Sequence, residues 1–332
     1  MNVRSVTYCL LMLLSLGMVA CSADASVDTS EERIPVAFST EFSAPTRAST
    51  IDNIWNGGDA IAISNGSETH RYTTVASSTA GDKVNLSSVY EEQFFWPTDD
   101  PHWTFTAWYP YNNGEQWTSV EVADDQRGTS ADTPADEGTL PAAAYYDFDL
   151  LYAQKVSEYH KRVHLLFYHQ MAHIIVNATV TPNTGVAHEQ ITSIQLGSSN
   201  VAVTGDITMG TTGASVTTPS VAWTVPAAGQ TSTSTINMRH AATSGALYTY
   251  ECMLPPQTIG DANTPLFTIN TSYDVTDTET LTRTYLYKGP YTFLPGYEYT
   301  FTFTIDEVGI LKVQNLTIVS WGTGTGGTGT VK

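Results

Sequence analysis

The sequence predicts an all-β protein of two β-sandwiches in tandem behind an export signal. Three observations carry that prediction. Tyr297, Tyr299, Phe301, Phe303 and Ile305 alternate strictly with Glu298, Thr300, Thr302 and Thr304, giving one buried and one wet face. Short apolar runs recur between turns rich in Gly, Pro, Asn and Asp. No convincing amphipathic helix is present. The chain has 332 residues, enough for about two domains.

The first segment, residues 1–20, reads as a lipoprotein signal peptide. Arg4 gives the positive start and the run from Tyr8 to Val19 the apolar region, too short to span a bilayer, which takes roughly 20 residues. It closes on Met18-Val19-Ala20-Cys21, where small residues before the thiol permit cleavage and Cys21 carries the lipid. Met18 stands where Leu is usual. Cys9 leaves with the signal and Cys21 is lipidated, so Cys252 is left alone and no intramolecular disulfide is expected. Its apolar neighbours predict a buried, inert thiol.

Residues 21–47 are expected to form a polar tether followed by an extended strand. In that strand Ile34, Val36, Phe38 and Phe42 share one face. Pro45 ends it and leaves Arg47 and Ala48 in an exposed basic site. The first sandwich is expected over 48–160. Trp55-Asn56-Gly57-Gly58-Asp59 makes a turn before the strand Ala60–Ile63. Phe94–Pro97 and Trp103–Pro110 read as aromatic strands, Asp124–Pro141 as a long loop, and Asp149–Ala153 as a further strand. The second sandwich is expected over 161–332. It opens with the apolar stretch His164–Val180, read as one strand buried on both faces, with a short helix left open by its periodicity. Gly197–Ser244 is weakly patterned, and Leu266–Asn270 and Thr284–Tyr287 flank a turn. Beyond Gly309, Leu311, Val313, Leu316, Ile318 and Trp321 form a last strand whose alternation slips near Asn315-Leu316.

The charge balance of 14 Lys+Arg against 33 Asp+Glu gives a net charge of −19, which argues against nucleic-acid binding. His169 and His173 are four apart, but no glutamate supplies the general base of HExxH. Strand geometry would hold them about 13 Å apart, so packed histidines are expected and no metal. Asp99-Asp100 and Asp124-Asp125 lie outside any calcium-loop pattern and read as solvated turn acids. Nucleophile elbows and phosphate loops are absent, so no enzyme and no cofactor is expected. Trp96, Trp103, Trp108, Tyr109, Tyr111 and Trp117 would either stack on sugars or fill the core.

Several motifs taken in order resemble the fimbrillin family of Bacteroidetes, the subunits of type V pili. They are the lipid-site cysteine, Thr46-Arg47-Ala48, Trp55-x-x-Gly58-Asp59-x-Ile61, Phe105-x-Ala107-x-Tyr109-Pro110, Phe167-x-His169-x-Met171-Ala172-His173, Pro295-Gly296-Tyr297-x-Tyr299 and Ile318-x-x-Trp321-Gly322. The family usually has a basic residue where His173 stands. The resemblance implies transthyretin-like sandwiches and a precursor lipid-anchored at the outer-membrane surface. It also implies an arginine-specific protease cutting after Arg47, and removal of the Ile34–Phe42 strand. Another pilin subunit would then fill the groove with a C-terminal strand, here Leu311 to Trp321. The role expected is a stalk or accessory/tip pilin. The alternative is a non-polymerising adhesin or glycan-binding lipoprotein with a host or bacterial surface ligand. Cleavage at the rival Arg33 would spare the strand.

Overall fold

The computed structural model describes residues 33–42, 54–77, 81–89, 92–97, 102–129, 138–181, 189–209, 220–226, 232–276, 279–306, 309–321 and 326–329. The signal peptide, Cys21, Arg47, Ala48 and Asp99-Asp100 lie outside these residues.

The all-β class holds. The first part of the chain contains β1 (Phe38–Phe42), β2 (Ala60–Ser64), β3 (Thr69–Thr74), β4 (Val84–Ser87), β5 (Thr104–Tyr109) and β6 (Ser119–Glu121). A five-residue helix, α1 (Ala142–Tyr146), precedes β7 (Leu151–Val156) and β8 (Val163–His169). Seven of these strands close into a barrel in the order β1-β4-β3-β2-β5-β7-β8. Closure removes the free edges that an open sandwich would leave. It depends on β1, which pairs antiparallel with β4 and parallel with β8.

The stretch 164–180, expected as one strand, is two. β8 alternates buried and part-buried residues and belongs to the barrel. The next strand, β9 (Ala172–Val180), is buried on most positions and belongs to another sheet. The break is at Gln170-Met171. There the Gln170 N–H donates to the Leu150 carbonyl (2.8 Å), and the Met171 carbonyl accepts from Gly296 N–H (2.8 Å). Both halves are apolar, so composition hid the change of sheet. Phe94–Pro97 also departs from expectation: it is no strand, and Phe95 contributes a single bridge to Pro35.

The remaining strands are β10 (Gln190–Ala202), β11 (Thr204–Thr208), β12 (Ala222–Thr224), β13 (Thr233–Asn237), β14 (Arg239–Ser244) and β15 (Leu247–Leu254). They continue with β16 (Gln257–Ile259), β17 (Pro265–Thr276), β18 (Glu279–Lys288), β19 (Tyr291–Phe293), β20 (Tyr297–Ile305), β21 (Leu311–Ser320) and β22 (Gly326–Gly329). A six-stranded sheet runs β14-β15-β9-β20-β21-β22, and a four-stranded sheet runs β13-β10-β17-β18. Their inward residues, among them Ile174, Leu196, Ile236, Phe267, Phe301 and Phe303, share one core. Phe38, Ile61, Phe94, Phe105 and Phe167 fill the barrel. A third cluster joins Trp108 and Tyr152 of the first part to Met253 and Trp321 of the second.

Candidate functional site

The strand expected to be removable is seated inside the barrel wall. Five residues of β1 lie in register with β8, from Phe38↔Val163 to Phe42↔Phe167. Ahead of β1, the Phe94 carbonyl accepts from Val36 N–H (2.9 Å) and the Ile34 carbonyl from Trp96 N–H (2.8 Å). Of the four apolar residues read as one face, Val36, Phe38 and Phe42 are buried. Ile34 is 41% exposed, because it precedes the barrel strand and lies beside the Trp96 bond rather than over the core. On the outer face Glu41 meets His164 (2.8 Å) and Lys83 (3.9 Å).

Two inward aromatics hold β1. Phe38 makes edge contacts with Tyr72 (5.0 Å), Phe105 (5.0 Å) and Phe94 (6.0 Å). Phe42 stacks on Trp55 (4.6 Å, 23°) and on His169 (5.6 Å, 13°). Offset stacks and edge contacts of this kind add to the area they bury. The stack continues. His169 lies flat on Trp321 (3.9 Å, 5°), and Trp321 on His173 (5.0 Å, 28°). The two histidines, on separate strands, thus share a tryptophan. Among the described residues no group of three or more His, Cys, Asp or Glu could hold a metal ion.

Each histidine is also tied to acid. His169 Nδ1 and Asp149 Oδ1 are 2.8 Å apart. His173 lies between Glu298 (3.3 Å) and Glu251 (3.4 Å), and Arg239 approaches Glu251 at 4.0 Å. All four of these latter residues are buried. Burial alone would lower the His173 pKa, but the hydrogen bonds and charges of Glu251 and Glu298 outweigh it and raise it to about 9. The basic position of the family motif is therefore served here by an imidazolium. Gly296 allows the approach of these parts. Its φ is +71°, and a Cβ there would stand 2.8 Å from the His169 carbonyl oxygen.

Beside Phe42 lies a cavity of about 250 Å³, lined by Phe42, Trp55, Asp59, Tyr109, Asp149 and His169 among others. Burial raises the Asp59 pKa, and the charge of Asp147 adds to it. Burial also pushes the Tyr109 hydroxyl up, aided by Asp59, Asp147 and Asp149.

The expected last strand is β21, which lies between β20 and β22. Its slipped alternation is a bulge. Thr302 pairs with Asn315 and Phe303 with Val313, so Gln314 is the extra residue. Leu316 and Trp321 are buried, whereas Leu311, Val313 and Ile318 are part-buried against the core. All six aromatics weighed for sugar stacking belong to the core clusters or pack against them, or lie buried beside them. Trp108 is fully buried and Trp96 nearly so, while Trp103, Tyr109, Tyr111 and Trp117 pack against the clusters. Cys252 is buried, which raises its thiol pKa. Sequence reading missed Glu251, Glu298 and Gln126. Gln126 bridges both backbone groups of Met253 (2.7 and 2.9 Å) from a stretch read as loop.

Comparison with curated proteins finds no match. Among solved structures, a candidate cell adhesion protein of Bacteroides uniformis is 18% identical. The alignment covers 86% of this chain and 98% of that one, with a TM-score of 0.52. A second, from Bacteroides ovatus, is 15% identical over 86% and 97% of the two chains, with a TM-score of 0.54. Both likenesses concern the fold. The model of the fimbrillin-like family matches residues 46–321, and the chain therefore belongs to the fimbrillin-like family.

Proposed function

We propose that this chain is a structural subunit of a cell-surface fimbrium, assembled by strand exchange after arginine-specific proteolysis. The precursor is lipidated at Cys21 and displayed on the outer membrane. A cut after Arg47 severs the leader carrying Ile34, Val36, Phe38 and Phe42, and an incoming strand takes its place between β4 and β8.

The single observation that carries this reading is the position of β1. It is the first strand among the described residues, it closes the barrel by pairing on both sides, and it ends five residues before Arg47. Once cut, it would be held by non-covalent contacts alone. Its loss would leave β4 and β8 with unpaired backbone groups beside an apolar trench, which a replacement strand repairs. Burial of Val36, Phe38 and Phe42 at roughly 1.5–3 kcal/mol each gives about 5–9 kcal/mol of gross stabilisation. Ordering the strand offsets much of this. Such a leader stays seated until a competing strand displaces it. The reaction partners are other pilin subunits and the protease. Head-to-tail insertion of this kind does not close on itself and extends a filament.

The test is limiting digestion of purified precursor with an arginine-specific protease, followed by addition of a labelled peptide of residues 34–42. Mass spectrometry is expected to place the cut after Arg47, and only the cut protein is expected to take up the peptide. A cut confined to Arg33, or a cut protein that never exchanges its leader, would sink the proposal.

A further inference from the structure

The groove that β1 fills is selective, and this chain's own C-terminal strand does not match it. β1 places Phe38 and Phe42, four residues apart on one face, in two separate aromatic sites. Phe38 sits among Tyr72, Phe94 and Phe105, and Phe42 lies against Trp55 and His169. Between them Thr40 is fully buried. On the opposite face Glu41, just before the second aromatic, meets His164 and Lys83. A strand that replaces β1 in regular geometry must present two large apolar side chains at positions i and i+4, because residues two apart share a face.

Residues 309–332 contain no such pair. Within this stretch, every residue four positions from an Ile, Leu, Val or Trp is Gln, Asn, Lys, Thr, Ser or Gly. The lone aromatic, Trp321, has Thr317 and Thr325 at those distances. Leu316 and Trp321 are five apart, so a regular strand points them to opposite faces. In any regular register, and in either direction, insertion of this segment leaves at least one of the two aromatic sites without a large apolar group; the bulge at Gln314 would bring Leu311 and Leu316 onto one face, but Leu316 is no aromatic to replace Phe42 on Trp55 and His169. An unfilled aromatic-sized site in a core is among the costlier packing defects.

We propose that the β1 groove accepts a strand from a different protein rather than from a second copy of this chain. That strand carries an aromatic or large aliphatic residue, three further residues, then an aromatic, with an acid immediately before the second. This rests on the strand-exchange reading above and narrows it: the subunit is a hetero-acceptor and does not polymerise with itself.

The experiment uses protein cut after Arg47 and four unlabelled peptides competing with the labelled 34–42 peptide. The unlabelled 34–42 peptide is expected to compete. Its Phe38→Thr/Phe42→Thr version and the native 309–332 peptide are expected to compete about 100-fold less well or not at all. A 309–332 peptide with Ser320→Phe, which places an aromatic ring four residues after Leu316, is expected to gain competition. Electron microscopy of the cut protein alone is expected to show no fibres. If the native 309–332 peptide competes as well as 34–42, or the cut protein forms fibres unaided, the hetero-acceptor inference is overturned while strand exchange stands. If not even the 34–42 peptide binds, strand exchange itself falls, and this inference with it.

Discussion

At His173 a cation is held between two buried carboxylates, and the pH dependence of stability follows from it. The folded pKa, about 9, lies above the ordinary histidine value of 6.5. The stabilisation is therefore complete below pH 6.5 and lost as pH rises through about 9, an effect on the order of 3 kcal/mol. Urea titrations at several pH values across that window should show the midpoint falling. His173→Gln should abolish the slope and cost roughly 3–5 kcal/mol at pH 6, since Glu298 loses its buried cation and Glu251 keeps the more distant Arg239. An unchanged midpoint in the variant would mean that the glutamates find another partner. Gly296 gives a second residue-scale test. Its positive φ and the 2.8 Å approach to the His169 carbonyl leave no room for a methyl group. Gly296→Ala should therefore destabilise by more than about 1 kcal/mol in thermal melts.

At the scale of elements, β1 is the piece on which the barrel's closure depends. Phe38→Ala and Phe42→Ala in the intact precursor should each cost about 3–5 kcal/mol, as truncations of buried aromatics do. After the Arg47 cut they should also speed loss of the leader, as followed by size-exclusion chromatography. A leader that leaves no faster when both rings are gone would show that its backbone pairing alone retains it. The existence of this strand was legible, because Val36, Phe38 and Phe42 alternate plainly with polar neighbours. Its parallel pairing with β8 was not, because the partners are 125 residues apart and nothing local encodes that register. The slip in β21 was visible as a broken alternation, and the bulge at Gln314 is its cause. The His164–Val180 run shows the opposite limit. β8 and β9 are both apolar enough to read as one strand, and only the long-range bonds of Gln170 and Met171 divide them. The acids around His173 could not be found from spacing, since Glu251 and Glu298 arrive from β15 and β20.

For the whole molecule, the parts meet around Trp321. It stacks between His169 of the barrel and His173 of the six-stranded sheet, and its backbone N–H donates to Gly296 (2.7 Å). Three motifs on which the family resemblance rested, Phe167 to His173, Pro295-Gly296 and Ile318 to Trp321, are therefore one contact in space. Loss of the leader removes Phe42, and with it the link between Trp55 and His169, from this ring stack. Cut protein stripped of its leader should melt at a lower temperature than the precursor. Adding the 34–42 peptide should restore the melting temperature in a concentration-dependent way, because a ligand of the folded state stabilises it by mass action.

The most direct test of the strand-exchange account is hydrogen exchange of the β8 amides in Val163–Phe167, compared between intact precursor and cut, leader-stripped protein. Those residues have β1 as their ladder partner, since β8 pairs with β7 at Tyr168 and His169. The expected result is a loss of protection in Val163–Phe167 and at Val84-Asn85 of β4, with β9 and β20 unchanged. Protection that persists at β8 after the leader has gone would contradict the account, because it would mean that no open groove forms.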